Sequence, residues 1–303
     1  MLKLLKDVGE LEFIRYIARQ IEGKGTALKG IGDDAAVVSI NADYVMLFTA
    51  DMLVEGVHFL RTQRACSIGH KAISCSLSDI AAMGATPKYA LITLGLPKKL
   101  NFLFAKNIFR GILKTAKFFN VEIIGGDTVC SEKIIIDVFV CGTAKQQNVI
   151  LRSGAKYGDC IFVTGSLGNS QKTKHLHFTP RVEEANFLTR NFKLNAMIDV
   201  SDGLICDLNH ILKASKVGAL LEESKIPLSK NCFLNDAYYT GEEFELLFTL
   251  PEKYSQQLIS KWPFKRQVRL SCIGRIMPQK FGLKIKNKKG IPKKNKIYGY
   301  NHF

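Results

Sequence analysis

The sequence predicts an α/β (α+β) protein of two domains, and three observations lead there. Apolar runs of strand length alternate with segments of helical period along the chain. Its 303 residues exceed what one hydrophobic core usually supports. The alternation also restarts after "LRSGAKYGDCIFVTG", which places the boundary near residue 149 and the domains at 1–148 and 149–303. With 47% hydrophobic and 23% charged residues, the chain carries enough apolar material for packed interiors and is not a disordered sequence.

The elements follow in order. "ELEFIRYIARQI" sets Leu11, Ile14, Ile17, Ala18 and Ile21 on one helical face. After a glycine turn, "AAVVSI" and "DYVMLFTAD" read as strands, and "CSIGHKAISCSLSDIAAMGA" as a small-residue helix stopped by Gly84 and Pro87. "YALITLGLP" is a strand and "NFLFAKNIFRGILKTAKFF" a helix; "VEIIGGD" is a strand ending in a glycine turn, and "KIIIDVFVCGTA" another strand. The second round gives strand "CIFVTG", helix "RVEEANFLTRNF", strand "AMIDVS", helix "DGLICDLNHILKAS", and strands "GALLEE" and "EFELLFTL". No short-period repeat occurs, and the lysine-rich 284–296 segment is the one biased stretch.

Charge and cysteine usage narrow the function classes. Lys and Arg total 43 against 27 Asp and Glu, a formal charge of +16. No aromatic-interleaved or recognition-helix motif accompanies that excess, so a solvated lysine-rich surface is expected and nucleic acid is not the expected partner. The eight cysteines are far apart with no C-x-x-C pair, which fits buried free thiols and argues against a zinc site or disulfide framework. "MLKLLKDVGELEF" meets acids before an apolar run of signal length, and no window reaches the roughly 18 uncharged residues of a membrane span. A cytoplasmic protein is expected.

Acids recur beside Gly, Ser or Thr at the ends of apolar segments: Asp33 and Asp34 in "GIGDDAAV", Asp51 in "TAD", Asp79 in "SLSD", Asp127 in "GGDT", Asp199 and Asp202 in "IDVSDG". Singly, each reads as an Asx turn or helix cap. Gathered together they would repel and hold protons unless a cation neutralised them, and hard oxygen ligands suit Mg²⁺ bound with phosphate. "GTALKGI" lacks the Lys-Ser/Thr of a P-loop, no G-x-G-x-x-G opens a helix after a strand, and the protein-kinase signatures are absent. His58 in "VEGVHFL" reads by itself as a structural histidine, and Glu242, Glu243 and Glu245 in "TGEEFELLFT" as a solvated start to a strand. The aromatic end "YGYNHF" suggests docking onto something.

The ordered set "GIGDDAAV", "TADMLVEGVHF", "SLSDIAAMGATP", "GGDT", "RSGAKYGD", "VTGSLG", "PRV", "IDVSDGL", "IPL", "GEEFELLFT" and "GYNHF" resembles the thiamine-monophosphate kinases. Those belong to the ATP-binding family that also holds aminoimidazole ribonucleotide synthetase, selenophosphate synthetase and the hydrogenase maturation dehydratase. The resemblance runs from about residue 30 to residue 303. It implies a two-domain aminoimidazole ribonucleotide synthetase-like fold, an N-terminal sheet domain that binds ATP and metal and pairs with its twin in a homodimer, and a C-terminal α/β domain. It implies transfer of a phosphoryl group from ATP to thiamine monophosphate with several Mg²⁺ ions. The acceptor oxygen is ionised at neutral pH, so no general base is required.

Carried over motif by motif, Asp33, Thr49, Asp51, Asp79, Asp127, Asp199 and Asp202 match metal ligands, with Asp34 a weaker candidate. Gly126 and Asp127 match the nucleotide turn, Arg152 an arginine on the ATP phosphates, and Ser201 a nucleotide contact. His58, Glu242 and Tyr300 match the substrate side, where an aromatic face suits a cationic thiazolium. Three departures stand out: Ala50 before Asp51, "GEEFE" for the usual Gly-Glu-Asp-Tyr-Glu, and a short polar "SLGNSQKTKHLHFTPRV" in place of a glycine- and alanine-rich segment. Two other readings are another ATP-dependent synthetase of the same fold and a non-catalytic basic nucleotide- or nucleic-acid-binding protein. Selenophosphate synthesis would call for a reactive cysteine near the N-terminus, whereas the first here is Cys66, and the hydrogenase factor would end in cysteine, whereas this chain ends "NHF".

Overall fold

A computed structural model of the chain describes residues 4–21, 25–168, 170–172 and 174–294. Two short helices come first, α1 (Leu5–Val8) and α2 (Glu10–Ile21). The first sheet follows, from β1 (Ala36–Ser39), β2 (Tyr44–Val54), β3 (Thr86–Leu96), β4 (Glu122–Cys130) and β5 (Ile135–Lys145), with α3 (Ala65–Ala82) and α4 (Phe102–Phe118) between its strands. Its order is β1-β2-β5-β3-β4, antiparallel except for the parallel β3–β4 pair, which α4 connects as a crossover.

The second sheet takes β6 (Cys160–Thr164), β7 (Ala196–Asp199), β8 (Val217–Glu222), β9 (Leu246–Leu250), β10 (Leu270–Pro278), β11 (Leu283–Lys286) and β12 (Pro292–Lys294), in the order β12-β11-β8-β10-β6-β9-β7. Its helices are α5 (Val182–Asn191), α6 (Leu204–Ser215), α7 (Leu234–Tyr239) and α8 (Ser255–Lys261). The strands from β10 onward and helices α7 and α8 carried no clear period in the sequence. Their segments are short, and pairing with β6 and β8 supplies the order that local pattern does not.

Helix α3 is the hinge of the architecture. It packs on β2 and β5, lies along α4, and reaches α5 and β7 of the second unit. Its small residues permit this. A Cβ on Gly69 would lie 1.9 Å from the carbonyl oxygen of Ile108, and one on Gly111 2.0 Å from that of Cys66, so α3 and α4 touch backbone to backbone. Ala81 and Ala82 at the end of α3 join Phe162, Met197, Phe248 and Trp262 in a core that bridges the two units. Each unit also has its own core, around Leu47, Ile68 and Val138 in the first and Ile161, Ile198 and Leu208 in the second.

Four sequence expectations change. Strand β3 starts at Thr86 and runs through Pro87, where the register with β5 shifts; the missing N–H of proline falls at the irregularity. Strand β4 does not stop at the glycines but continues through Gly125, Gly126 and Asp127 to Cys130. A Cβ on Gly126 would meet the Ile92 carbonyl oxygen at 1.8 Å, so that glycine serves close strand approach and not a turn. The apolar stripe of α2 exists, but no residue of that helix is buried. All eight cysteines are free as expected, yet Cys66 and Cys130 are exposed.

Candidate functional site

Three carboxylates from distant parts of the chain meet beside α3. Asp34 lies in the turn before β1, Asp79 in the last turn of α3 and Asp199 at the end of β7, and one oxygen from each falls within 4.8 Å of the others. Each is locally held. Thr49 Oγ1 on β2 donates to Asp79 Oδ2 at 2.6 Å, Ser78 Oγ on α3 donates to Asp199 Oδ2 at 2.6 Å, and the Arg152 guanidinium donates to Asp34 Oδ1 at 2.5 Å. Asp51, on β2 like Thr49, accepts from Ser76 Oγ at 2.8 Å. Ser76 and Ser78, two positions apart on the helix, point to different sides of α3 and so reach carboxylates of both sheets, Asp51 and Asp199.

Burial governs the electrostatics of this trio. It raises the Asp34 carboxyl to about 6 despite Arg152 beside it, and the Asp199 carboxyl to about 8 with the charge of Asp34 adding to the effect. Asp79 is pushed well up by burial and then by Asp51, Asp199 and Asp34, and Asp51 is raised by burial as well. Arg152 goes the other way: burial would lower it, but Asp34 and then Asp33 hold it firmly charged. Three acids with one arginine among them form a group that could hold a cation. The test is a buried polar atom with no partner, and Asp34 Oδ2 is one. Oxygen-only donors fit Mg²⁺, and the carbonyl end of α3 adds partial negative charge at Asp79.

A cleft of about 630 Å³ is lined by Asp51, His58, Ser201, Asp202 and Glu242 among others. Its size suits a small-molecule ligand. His58 Nδ1 accepts from the Val54 amide at 3.0 Å, and the His58 carbonyl accepts from Lys71 Nζ at 2.7 Å. Lys71, on α3 and 1% exposed, also pairs with Glu242, whose other oxygen lies 3.2 Å from His175 Nδ1. Burial would raise Glu242, but His175 and Lys71 outweigh it and hold the carboxylate below its ordinary range. Glu242 sits at φ 64°, in the left-handed region, and its amide donates to the Ser201 carbonyl at 2.6 Å. That bond ties the glutamate's backbone to the "IDVSDG" turn.

The sequence candidates distribute unevenly over this geometry. Asp51, His58, Ser201, Asp202 and Glu242 line the cleft, Asp79 and Asp199 belong to the acidic trio, and Thr49 and Arg152 hydrogen-bond to it. Asp34 and not Asp33 joins the trio: Asp33 accepts from the Arg152 amide at 3.0 Å and pairs with Lys29 at 3.3 Å. Gly126 and Asp127 are exposed on β4 at the edge of the first sheet and belong to no acidic group among the described residues. Tyr300 lies outside the described residues.

Other residues escaped the sequence reading. Lys71 is the one lysine in α3, a helix otherwise of apolar and small polar residues with His70 and Asp79, and that was the available signal. His175 and Gln171 come from the divergent polar loop, which here walls the cleft. Glu243 and Glu245, expected as solvated, are buried: Lys174 reaches both at 3.1 and 3.0 Å, and Arg181 clasps Glu245 at 2.7 Å. The loop thus brings its own cations to the acids of "GEEFE".

Comparisons with known proteins place the chain in a family. The family described as AIR synthase related protein matches with its N-terminal domain at residues 32–144 and its C-terminal domain at 140–286. The thiamine-monophosphate kinase of Buchnera aphidicola subsp. Acyrthosiphon pisum is 38% identical over 97% of this chain and 98% of its own length. The chain belongs to the thiamine-monophosphate kinase family. The kinase of Aquifex aeolicus is 33% identical over 99% of both chains. A solved structure, "AaThiL complexed with AMPPCP and TMP", is similar with a TM-score of 0.86 and 32% identity, covering 100% of this chain and 99% of that one. Hydrogenase maturation protein HypE in complex with ATP, 20% identical with a TM-score of 0.71, shares the fold.

The raised carboxyls give this family member a pH signature. Groups with folded values above their unfolded value of about 4 stabilise the metal-free protein at low pH, and that contribution is lost as pH rises through about 6 for Asp34 and about 8 for Asp199. Bound cation removes the repulsion. The Tm increment from Mg²⁺ should therefore grow between pH 5.5 and 8.5, read by thermal melts with and without the ion; an increment independent of pH would place the cation elsewhere.

Proposed function

We infer that this chain transfers the γ-phosphoryl group of ATP to the phosphate of thiamine monophosphate, giving ADP and thiamine diphosphate. Membership of the thiamine-monophosphate kinases supports the reaction. The observation that carries it in this molecule is the acidic trio of Asp34, Asp79 and Asp199 beside a cleft lined by His58 and Glu242. Likeness to the structure described as complexed with AMPPCP and TMP supports the pairing of two phosphorylated ligands at this place.

The chemistry asks little of the protein beyond alignment. The attacking phosphate oxygen is already ionised, so no side chain has to take a proton. Asp34, Asp79 and Asp199, with Thr49, Asp51 and Asp202 at the rim, would hold several Mg²⁺ ions. Bound there, Mg²⁺ would neutralise charge on the phosphates and the transferring group. Arg152 supplies a planar, permanently charged donor for ATP phosphate oxygens once it exchanges part of its contact with Asp34. Ser201 offers a hydroxyl to the nucleotide. On the other side, Glu242 presents a carboxylate toward a cationic thiazolium, with Lys71 and His175 fixing its direction.

We assign the ATP- and metal-binding role to residues 1–148 and the remaining cleft wall to 149–303, and we place the reaction in the cytoplasm, in keeping with eight free thiols. We further propose a homodimer formed through β4. That strand bonds to β3 on one side only, and Ile124 and Val129 on it, with Tyr89 on β3, are exposed at 56%, 51% and 42%. A partner there would cover Gly126 and Asp127, which gives Asp127 a role across the interface. Light scattering should return twice the mass of one chain and Ile124→Lys half of that; a monomeric parent protein would remove the interface.

Two activity measurements test the site. Purified protein with Mg²⁺, ATP and thiamine monophosphate should form thiamine diphosphate, and Asp79→Asn should lower kcat by about 100-fold or more while leaving the metal-free Tm unchanged or higher, because burial already keeps that carboxyl protonated and a neutral amide replaces it. An unaltered rate in that variant would move the site. Lys71→Met should raise KM for thiamine monophosphate by about tenfold, about 1.4 kcal/mol, and KM for ATP much less; the reverse order would take Glu242 away from the substrate side.

A further inference from the structure

A second cavity, of about 470 Å³, lies between α3, α4 and residues 177–179, and shares no lining residue with the cleft. Its wall carries cations and no acid. Arg110 and Lys114 stand one turn apart on α4, and His70 and His177 line the cavity with the hydroxyls of Ser67, Thr115 and Thr179. The apolar part is aromatic, from Phe118 and Phe119 at the end of α4, with Phe118 68% exposed. Exposed phenylalanine beside two exposed cations one turn apart is matched by a ligand with a flat ring and an anionic group. The volume falls within the roughly 300–1,000 Å³ of small-molecule sites.

The position of the cavity connects it to the cleft. Segment 174–179 serves both: His175 faces Glu242 and Lys71, while His177, two residues on, lines the second cavity. His70 Nε2 lies 2.7 Å from the Phe178 carbonyl and Nδ1 2.8 Å from Thr115 Oγ1, so it joins this segment to α4. The next residue on α3 is Lys71. A ligand that engages His177 or His70 therefore acts on the immediate neighbours of the groups that orient Glu242.

We propose that this cavity is a regulatory site for an aromatic phosphate ester, and that its occupancy changes how the cleft holds thiamine monophosphate. Arg110 and Lys114 take the phosphate, Phe118 and Phe119 the ring, and the 174–179 segment carries the effect. The kinetic part rests on the activity proposed above; the binding part does not.

The probe is 1-naphthyl phosphate, titrated calorimetrically into the full chain with the cleft blocked by a non-hydrolysable ATP analogue, Mg²⁺ and thiamine monophosphate. One saturable site is expected, weakened about tenfold or more by Arg110→Glu and by Lys114→Glu, both at exposed positions, and inorganic phosphate alone should bind much more weakly. In turnover assays the probe should shift KM for thiamine monophosphate at least about twofold in the parent chain and leave it unchanged in Arg110→Glu, whose basal rate is unaltered. Absence of saturable binding, or binding indifferent to both substitutions, would overturn the site. Equal binding of inorganic phosphate would overturn the aromatic class, and binding with an unchanged KM would overturn the link to the cleft. If the enzyme shows no turnover at all, the binding arm still decides the site.

Discussion

Asp34, Asp79 and Asp199 lie closer together than like charges tolerate in a buried setting, and much of the molecule can be understood as the means of keeping them there. Each comes from a different element, and one of the three comes from the second sheet. Serine and threonine hydroxyls and one guanidinium offset part of the desolvation, but they leave Asp34 Oδ2 without a partner. Such a site is stable only because packing around it is over-determined. The backbone contact of α3 with α4 and the bridging core of Ala81, Ala82, Phe162 and Phe248 supply that rigidity.

Helix α3 explains why the acidic trio and the cleft sit side by side. Its residues contribute Lys71 to the cleft, Ser76 to Asp51, Ser78 to Asp199 and Asp79 to the trio. One rigid helix therefore sets the distance between the acids and Glu242 in the cleft. The strain of Glu242 at positive φ belongs to the same design: a left-handed residue at the cleft is held by the Ser201 carbonyl, Lys71 and His175.

The basic excess of the chain, +16 overall, finds local uses. Lys174 and Arg181 neutralise Glu243 and Glu245, Lys71 neutralises Glu242, and Arg152 balances Asp34. An acidic site able to receive anionic phosphates needs such cations nearby. Other lysines make local contacts, Lys29 with Asp33 and Lys225 with Glu222, and the net positive charge adds a long-range field.

Local pattern was enough for what depends on near neighbours. The 3.6-residue period gave α2 to α6, α3 within three residues and the others within two, and the alternation of apolar runs gave β1 to β9 with the ends of several strands shifted, because a helix face or a strand is written in consecutive positions. The acids beside glycine and serine were also legible one by one, and their order matched a known family. Tertiary structure alone decided which of them meet. Asp33 and Asp34 are adjacent in sequence, yet the side chain of one turns to Lys29 and the other to the trio; Asp127 has an equally suggestive motif but stands on an exposed edge. Lys71 and His175, 104 residues apart, become partners of Glu242 only through the packing of the two units. Spacing along a chain fixes what a residue can offer, whereas convergence in space depends on long-range packing, which no local window contains.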